Sequence, residues 1–288
     1  MSTYYRIPEM ARQYTDYDMI RMHTELPDFP DFRTRLLYTF LNKTGISANF
    51  SELYAFVTSL VQLGLDTHDL VPAESVSGGR SVTRSRQLKV LAGAYFSSRF
   101  YHLLSQAGQI DIIRQLSNAV CEVNRLKMNL YMRMKQVKLT AEEYMRQSVN
   151  IKMQLYLTFT RQLEEKHAAF WPDILYGFTR CEVLLQEIFR SETLQNFRCG
   201  WAFWHVFQSG TSEERKQLLG ESTEIGKLRA IVLKYNSTSE LYRMLEEQLA
   251  QVFAKIRELG TDKLAKELLQ IGEPFLRFLS KPKVLEEI

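Results

Sequence analysis

Three polar side chains close a largely apolar segment in the first third of the sequence. Residues 57–65 contain five Val or Leu residues, and Asp66, His68 and Asp69 follow directly. Carboxylate and imidazole groups that converge at one helix end can bind a metal ion or, together with cations, a phosphate group. A solvated helix terminus has the same composition. From residue types alone, both interpretations stay open.

A basic segment follows this polar end. Residues 78–85 begin with Gly-Gly and continue with Ser, Thr and Arg, which predicts an interior loop. Arg80, Arg84 and Arg86 are the tightest basic group of the chain. These three arginines are therefore candidate phosphate-facing residues.

Other catalytic patterns do not occur in the sequence. The five histidines lie far apart, without the i, i+4 spacing of a helical zinc site, and there is no P-loop, Gly-x-Gly-x-x-Gly or Gly-x-Ser-x-Gly motif. Three cysteines, none in a Cys-x-x-Cys pair, predict reduced thiols in a cytoplasmic protein.

Composition places the chain among ordinary globular proteins. It has 288 residues, and 37 basic minus 33 acidic side chains give a net charge of +4, which does not imply nucleic acid. No run approaches the ~18 apolar residues of a membrane span, and the first residues contain no apolar signal core. We expect a cytoplasmic protein, and contact with a membrane surface stays open.

Apolar residues at three- and four-residue steps predict long helices. Only 13 Gly and 7 Pro interrupt the chain, and no period-two strand stands out. The sequence predicts an all-α fold of eight to twelve helices in a single domain, 1–288, with an irregular N-terminal segment, 1–33. Helix starts are predicted at four Ser, Thr or Asn residues that have Glu three positions later: Asn49, Thr140, Thr211 and Ser237. Helix ends are predicted at three glycines: Gly108, Gly210 and Gly260.

Residues 57–104 resemble trans-type prenyl diphosphate synthases, in which an apolar helix leads to Asp-Asp-x-x-Asp, an arginine-bearing loop and then Leu-Ala-Gly-Asp. They are most similar to the small subunit of heptaprenyl or hexaprenyl diphosphate synthase, component 1. The similarity lies in Val61-Gln62, in Leu65-Asp-Thr-His-Asp69, in Arg86-Gln-Leu-Lys-Val-Leu-Ala-Gly93 and in Tyr95-Phe96-Ser97. The resemblance implies an isoprenoid-synthase-like bundle of long helices. It also implies a product tunnel or helix contact at Gly93, Ala94, Tyr95 and Phe96.

The sequence departs from the synthase pattern where the metal should bind. His68-Asp69-Leu70-Val71-Pro72 takes the place of Asp-Asp-x-x-Asp, and Gly93-Ala94 that of Gly-Asp. After residue 120 the only aspartates are Asp173 and Asp262, so the second Asp-rich motif has no counterpart. Mg²⁺ requires converging oxygen ligands. Asp66, His68 and Asp69 are thus interpreted as a degenerate first motif, with no catalytic residue and no metal on this chain.

The resemblance implies a non-catalytic, regulatory subunit of a heterodimer. Its partner, component 2, would hold Mg²⁺ and extend farnesyl diphosphate with isopentenyl diphosphate to about heptaprenyl diphosphate for the menaquinone side chain. This chain would stabilise that partner and help set product length, with the prenyl diphosphate product in a shared tunnel and no nucleic acid bound. Two alternatives stay open: a stand-alone class I isoprenoid enzyme with a degenerate metal site, and a non-enzymatic helical scaffold.

Five aromatic residues lie close together in the last third of the chain. Ordinary core is the default interpretation of such a cluster, because aromatic side chains dominate protein cores. A wall of a prenyl-chain cavity and a subunit interface are the alternatives. The cluster consists of Phe197, Trp201, Phe203, Trp204 and Phe207.

Overall fold

The described part of the chain is all-α, which confirms the predicted fold class. The structure is a computed structural model that describes residues 5–46, 48–72, 79–220, 224–260 and 263–280. Within these ranges there is no β-strand, only an isolated bridge between Gly45 and Leu163. The first seven α-helices are α1 (Ile7–Thr15), α2 (Asp18–His23), α3 (Asp31–Thr44), α4 (Ser51–Asp69), α5 (Arg80–Gln106), α6 (Ile110–Lys135) and α7 (Ala141–Leu157). The next seven are α8 (Glu165–Ala168), α9 (Trp171–Thr193), α10 (Trp201–Ser209), α11 (Ser212–Leu219), α12 (Ile225–Lys234), α13 (Ser237–Glu258) and α14 (Lys263–Ser280).

The described residues thus hold fourteen α-helices, more than the eight to twelve expected, because α2 and α8 are too short to show a period. Three 3₁₀ turns join them, at Ala48–Phe50, Thr158–Gln162 and Phe197–Cys199. Among the residues described, no helix is both long enough and apolar enough to cross a membrane.

The chain divides into two compact units. Unit 1 comprises Met1–Val120 and Leu155–Trp171, and unit 2 comprises Cys121–Gln154 and Pro172–Ile288. The single domain expected from the sequence stays a prediction.

The N-terminal segment is more regular than the sequence indicates. Residues 1–33 were expected to be irregular, but the described part contains α1, α2 and the start of α3. Tertiary packing accounts for the difference, since α1 packs on α4 and α2 on α5. Ile7, Ala11 and Ile20 are buried there. Two buried residues on α1 and one on α2 stabilise helices that are too short to be periodic in sequence.

Helix α4 is the central helix of unit 1. It is buried on nearly all sides and packs against α3 and α5. Its polar side chains are accommodated because their hydroxyl groups donate to carbonyls within the same helix. Thr58 donates to the Tyr54 carbonyl at 2.7 Å, and Thr67 donates to the Leu63 carbonyl at 2.6 Å. Buried hydroxyls that are paired in this way carry little desolvation cost.

Two glycines allow α4 and α5 to approach closely. A methyl group on Gly64 would lie 2.8 Å from the Gly93 carbonyl oxygen and 2.9 Å from the Ser97 nitrogen. These are backbone atoms of α5, so they cannot move aside independently. The two backbones therefore touch at Gly64, and the helices share a contact that no larger residue permits.

The loop predicted at residues 78–85 is wrong. Helix α5 begins at Arg80 with Gly79 as its N-cap, so the predicted loop residues from Arg80 onward are helical. Gly78 lies outside the described residues. Gly-Gly followed by Ser and Thr is typical of a loop, but a glycine N-cap also starts a helix, and Ser and Thr are tolerated in a first turn.

Two of the four predicted helix starts are confirmed. Thr140 and Thr211 each accept from the backbone nitrogen three residues later, at 3.1 and 3.3 Å. The Asn49 prediction is wrong, because residues 48–50 form a 3₁₀ turn that leads into α4. The Ser237 prediction is wrong as well, since left-handed Asn236 is the N-cap of α13 and Ser237 is buried inside the helix.

All three predicted glycine stops are confirmed, and Gly210 is the C-cap of α10. Gly108 and Gly260 follow the ends of α5 and α13 with φ of +68° and +99°. These values lie in the left-handed region, where glycine is favoured because it has no Cβ.

Unit 2 is organised by a buried carboxylate. Glu187 on α9 accepts from the Tyr144 hydroxyl at 2.9 Å and from the Trp201 backbone nitrogen at 2.7 Å, and it forms an ion pair with Arg190. Burial raises the pKa of Glu187, an effect that Arg190 and these donors oppose. The carboxylate thereby joins α7, α9 and the start of α10. It also holds the backbone of Trp201, one member of the aromatic cluster.

Four members of that cluster are buried, as the default interpretation of ordinary core requires: Phe197, Trp201, Phe203 and Trp204.

Replacing Gly64 tests the close contact between α4 and α5. We expect Gly64→Ala to lower the free energy of unfolding by about 1–3 kcal/mol, the usual effect of overpacking. This loss should appear although alanine is the better helix former. Gly226→Ala on α12 is the control, because no atom lies within 4 Å of the added methyl. Denaturant unfolding of both variants measures the difference, and equal effects would contradict the close contact.

The capping box at Thr211 predicts a pH dependence. Donation from Lys234 at 2.6 Å and from Tyr235 at 2.6 Å, together with the capping box, lowers the pKa of Glu214 to about 2. A carboxyl group whose pKa is depressed by folding stabilises the folded state above its ordinary pKa, and this contribution is lost as the pH falls through the folded-state value.

We expect Glu214→Gln to remove part of the fall in stability between about pH 4.5 and about pH 2. Urea unfolding across this range measures it. Glu213→Gln, one residue away, is the matched control. A pH profile that Glu214→Gln leaves unchanged would exclude this contribution.

Candidate functional site

The end of α4 carries the three polar residues predicted from the sequence. Asp66 is half-buried, and its Oδ1 accepts a hydrogen bond from Gln62 Nε2 at 2.8 Å. The Gln62 side-chain oxygen in turn accepts from Arg33 Nη1 at 3.3 Å. The carboxylate of Asp66 is thus the outer end of a hydrogen-bonded chain that begins in the core of unit 1.

His68 packs directly against α5. A methyl group on Gly93 would lie 2.7 Å from Cε1 of the imidazole and 2.8 Å from its Nε2. The ring therefore rests on the bare backbone of Gly93. This contact explains why a glycine follows Leu91-Ala92, and it makes His68 a packing residue of the helix pair.

Asp69 is the last residue of α4 and is exposed. The chain then turns through Leu70 and Val71, whose backbone nitrogens donate to the carbonyls of Thr67 and His68. Residues 73–78, which lead to α5, lie outside the described residues.

The structure places the three predicted phosphate-facing arginines on two sides of one helix. Arg80, Arg84 and Arg86 are all exposed near the start of α5. Arg86 precedes Gly93 by seven residues and therefore shares the face that meets His68. Arg84 precedes Leu91 by seven residues and lies on the outer face with Arg80. Only Arg86 is thus on the side of the α4 end.

The four residues expected at a tunnel or helix contact also lie on different faces of α5. Gly93 and Phe96 are buried, and Phe96 packs with Leu63 of α4 and with Ile20 of α2. Ala94, by contrast, is exposed on the outer face of α5.

Tyr95 lies between these faces and contacts the N-terminal helices. Its hydroxyl donates to that of Tyr17 at 3.4 Å, and the two rings meet edge to face at 5.7 Å. Burial, and then the Tyr17 hydroxyl, raises the pKa of Tyr95 to about 12, so it remains a neutral donor. Arg99 lies over both the Tyr95 and the Tyr14 ring, at 5.7 and 5.1 Å. The tunnel role of Tyr95 stays a prediction.

Arg33 is a buried residue of the site that the sequence pattern does not predict. Its side chain is only 2% exposed, and its guanidinium lies 5.2 Å above the ring of Tyr156. Through Gln62 it connects the core of unit 1 to Asp66. Arg33 ends the segment expected to be irregular, and no periodic pattern marks it as buried. The only sequence signal was Val61-Gln62, a glutamine within an apolar helix.

The residues at the end of α4 do not fit a Mg²⁺ cluster. Mg²⁺ needs hard oxygen ligands in near-octahedral geometry. Here His68 is packed against Gly93, Pro72 offers no side-chain ligand, and Asp66 already accepts from Gln62. Across the described residues, no three His, Cys, Asp or Glu side chains are grouped closely enough to hold a metal ion.

Solved structures share the fold along nearly the whole chain. Geranylgeranyl pyrophosphate synthase from Lactobacillus brevis matches with a TM-score of 0.71 at 12% identity, over 94% of this chain and 96% of that one. Heptaprenyl diphosphate synthase from Staphylococcus aureus matches with a TM-score of 0.67 at 12% identity, over 93% and 97%. At these identities the likeness establishes the fold alone, which is that of the prenyl diphosphate synthases.

Sequence comparison then identifies the family. The model of heptaprenyl diphosphate synthase subunit 1 matches residues 17–217, and the chain belongs to this family. Component 1 of heptaprenyl diphosphate synthase from Geobacillus stearothermophilus is 43% identical over 91 residues, or 32% of this chain. That match spans 39% of the relative's length. The resemblance seen in residues 57–104 is confirmed.

A double-mutant cycle tests the contact between His68 and Gly93. We expect Gly93→Ala to destabilise the protein, because the imidazole must move away from the added methyl group. The loss should be smaller when His68 is already alanine, with a coupling free energy of about 0.5–3 kcal/mol. Denaturant unfolding of the four proteins gives the coupling. Additive effects would contradict the contact.

Proposed function

We propose that this chain is the non-catalytic subunit of a heteromeric prenyl diphosphate synthase. The observation that carries the proposal is the end of α4, where His68 and Pro72 stand in place of metal-binding aspartates and Asp66 is hydrogen-bonded to Gln62. Ionisation of an allylic diphosphate needs concentrated positive charge on the departing pyrophosphate. A chain that keeps the synthase fold with this donor set is suited to supporting that step in a partner.

The proposed partner is a catalytic subunit, component 2, that carries both Asp-rich motifs and holds Mg²⁺. The pair would join farnesyl diphosphate and isopentenyl diphosphate into a product of about heptaprenyl length for the menaquinone side chain. Membership of a family named for subunit 1 supports a partner, and the name heptaprenyl supports the product class. We place the pair in the cytoplasm, with peripheral membrane contact where the apolar product leaves.

Within the pair, this chain would stabilise the catalytic subunit and help set product length. Arg86 is the arginine we propose to face a diphosphate group, because it shares the α5 face of Gly93 and His68. This chain would then shape the far end of a shared product tunnel with apolar surface, and it would bind no metal ion.

Reconstitution tests the proposal. The isolated chain should show no turnover of farnesyl and isopentenyl diphosphates with Mg²⁺. The organism that makes this chain should also make a synthase with two intact Asp-Asp-x-x-Asp motifs. Adding that synthase should give long-chain product. Asp66→Asn together with Asp69→Asn should leave the turnover of the pair within about twofold, because on this proposal neither residue binds metal. Radiolabelled product analysis measures both rate and chain length.

Two outcomes would count against the proposal. Turnover by the isolated chain at a rate like that of the pair, abolished by Asp66→Asn and Asp69→Asn, would favour a stand-alone enzyme. Unchanged activity and stability of the two-motif synthase on addition of this chain would favour a non-enzymatic scaffold.

A further inference from the structure

The outer face of α5 carries an exposed stripe of residues. This helix contacts α4 and α2 on its other sides. On the outer side, successive steps of three and four residues connect seven positions, and all seven are exposed. We name them the outer stripe: Arg84, Gln87, Leu91, Ala94, Ser98, Tyr101 and Ser105.

The spacing of the outer stripe is that of a helix–helix seam. Alternating steps of three and four place residues in one line that a second helix can follow. The middle of the line is apolar or small, with Leu91 64% exposed and Tyr101 50% exposed. Val90, 45% exposed, lies beside it. Exposed apolar residues are ordinary when scattered, but several on one line mark a contact surface.

The small residues at the centre suit close packing. Ala94 and Ser98 lie one turn apart between Leu91 and Tyr101. Small side chains let helix axes approach, while larger ones on either side fill grooves of the facing helix. The outer stripe therefore has the profile of a packed helix surface, and its side chains are exposed in this chain. Tyr101 makes one contact with a neighbouring helix, a 2.9 Å hydrogen bond between its hydroxyl and that of Ser117 on α6, and its ring remains half exposed.

The charge on α5 identifies the kind of partner. Residues 80–106 include five basic side chains and neither Asp nor Glu. Arg80 and Arg84 lie on the outer face beside the positive end of the helix dipole, an unfavourable position for a cation. Carboxylates from a partner would offset this charge. A second copy of α5 brings none, in either orientation, so charge disfavours self-pairing along this stripe.

We propose that the outer stripe of α5 is the docking surface for the catalytic subunit. The occupant is a helix of that subunit with an apolar seam opposite Leu91 and Tyr101, and with carboxylates opposite Arg80 and Arg84. This inference rests on the proposed function, because it assigns the surface that the proposed partner uses.

Leu91→Arg tests the docking surface in the full chain. The probe is the synthase from the same organism that carries two Asp-Asp-x-x-Asp motifs. Its affinity for this chain is measured by calorimetric titration. We expect the substitution to weaken binding at least tenfold and to leave the thermal midpoint unchanged, because Leu91 is exposed. Leu233→Arg on α12 is the matched control, since Leu233 is also 64% exposed. It should bind like the unmodified chain.

A second pair of variants keeps the test independent of any loss of folding. A photo-crosslinking amino acid at Ala94 should capture the synthase, and the same group at exposed Ala230 should not. Arg80→Glu with Arg84→Glu should slow association and reverse its dependence on salt.

The outcomes separate the two proposals. If the unmodified chain binds the synthase and Leu91→Arg binds equally well, the docking surface is wrong and the proposed function stands. If the unmodified chain does not bind the synthase at all, the proposed function is wrong, and this inference with it. If the isolated chain forms a dimer that Leu91→Arg dissociates and the synthase does not compete for, the occupant is a second copy and the inference is overturned.

Discussion

The contact between α4 and α5 is the constraint on which unit 1 depends. Two helix backbones touch because Gly64 and Gly93 have no side chains, and the imidazole of His68 rests on the second glycine. Because the two helices lie this close together, the position of each residue along α5 determines which neighbour its side chain meets. One side is buried against α4, one meets the N-terminal helices, and one faces outward. The site and the proposed docking surface both follow from that assignment.

Packing and hydrogen bonds within unit 1 also hold the end of α4 in the position that it has in the synthase fold. The end of α4 is held by packing and hydrogen bonds that begin in the core, from Arg33 through Gln62 to Asp66. None of these contacts needs a metal ion. A helix end that is fixed by its own side chains keeps its place without metal ligands.

The arginines of α5 lie on two faces of the helix, and each face has a different proposed role. Arg86 lies on the side of the α4 end, where a diphosphate group would lie, while Arg80 and Arg84 lie on the outer side with the apolar stripe. In the two proposals, one helix contributes positive charge to two different tasks. The physical basis is the 3.6-residue period, which keeps Arg80 and Arg84, four residues apart, on one face and places Arg86, two residues further on, on the opposite face.

The sequence by itself determined the all-α class, two helix caps, the glycine helix stops and the family. These depend on local chemistry and on short motifs, such as the Thr-x-x-Glu boxes at Thr140 and Thr211 or the family motifs around Leu65 and Gly93. Only the tertiary structure decided that α5 begins at Arg80, that Arg33 is buried, and that Arg86 faces the α4 end while Arg80 and Arg84 face outward. The reason is that each of these depends on which face of a helix meets another helix, and burial of that face outweighs local propensity.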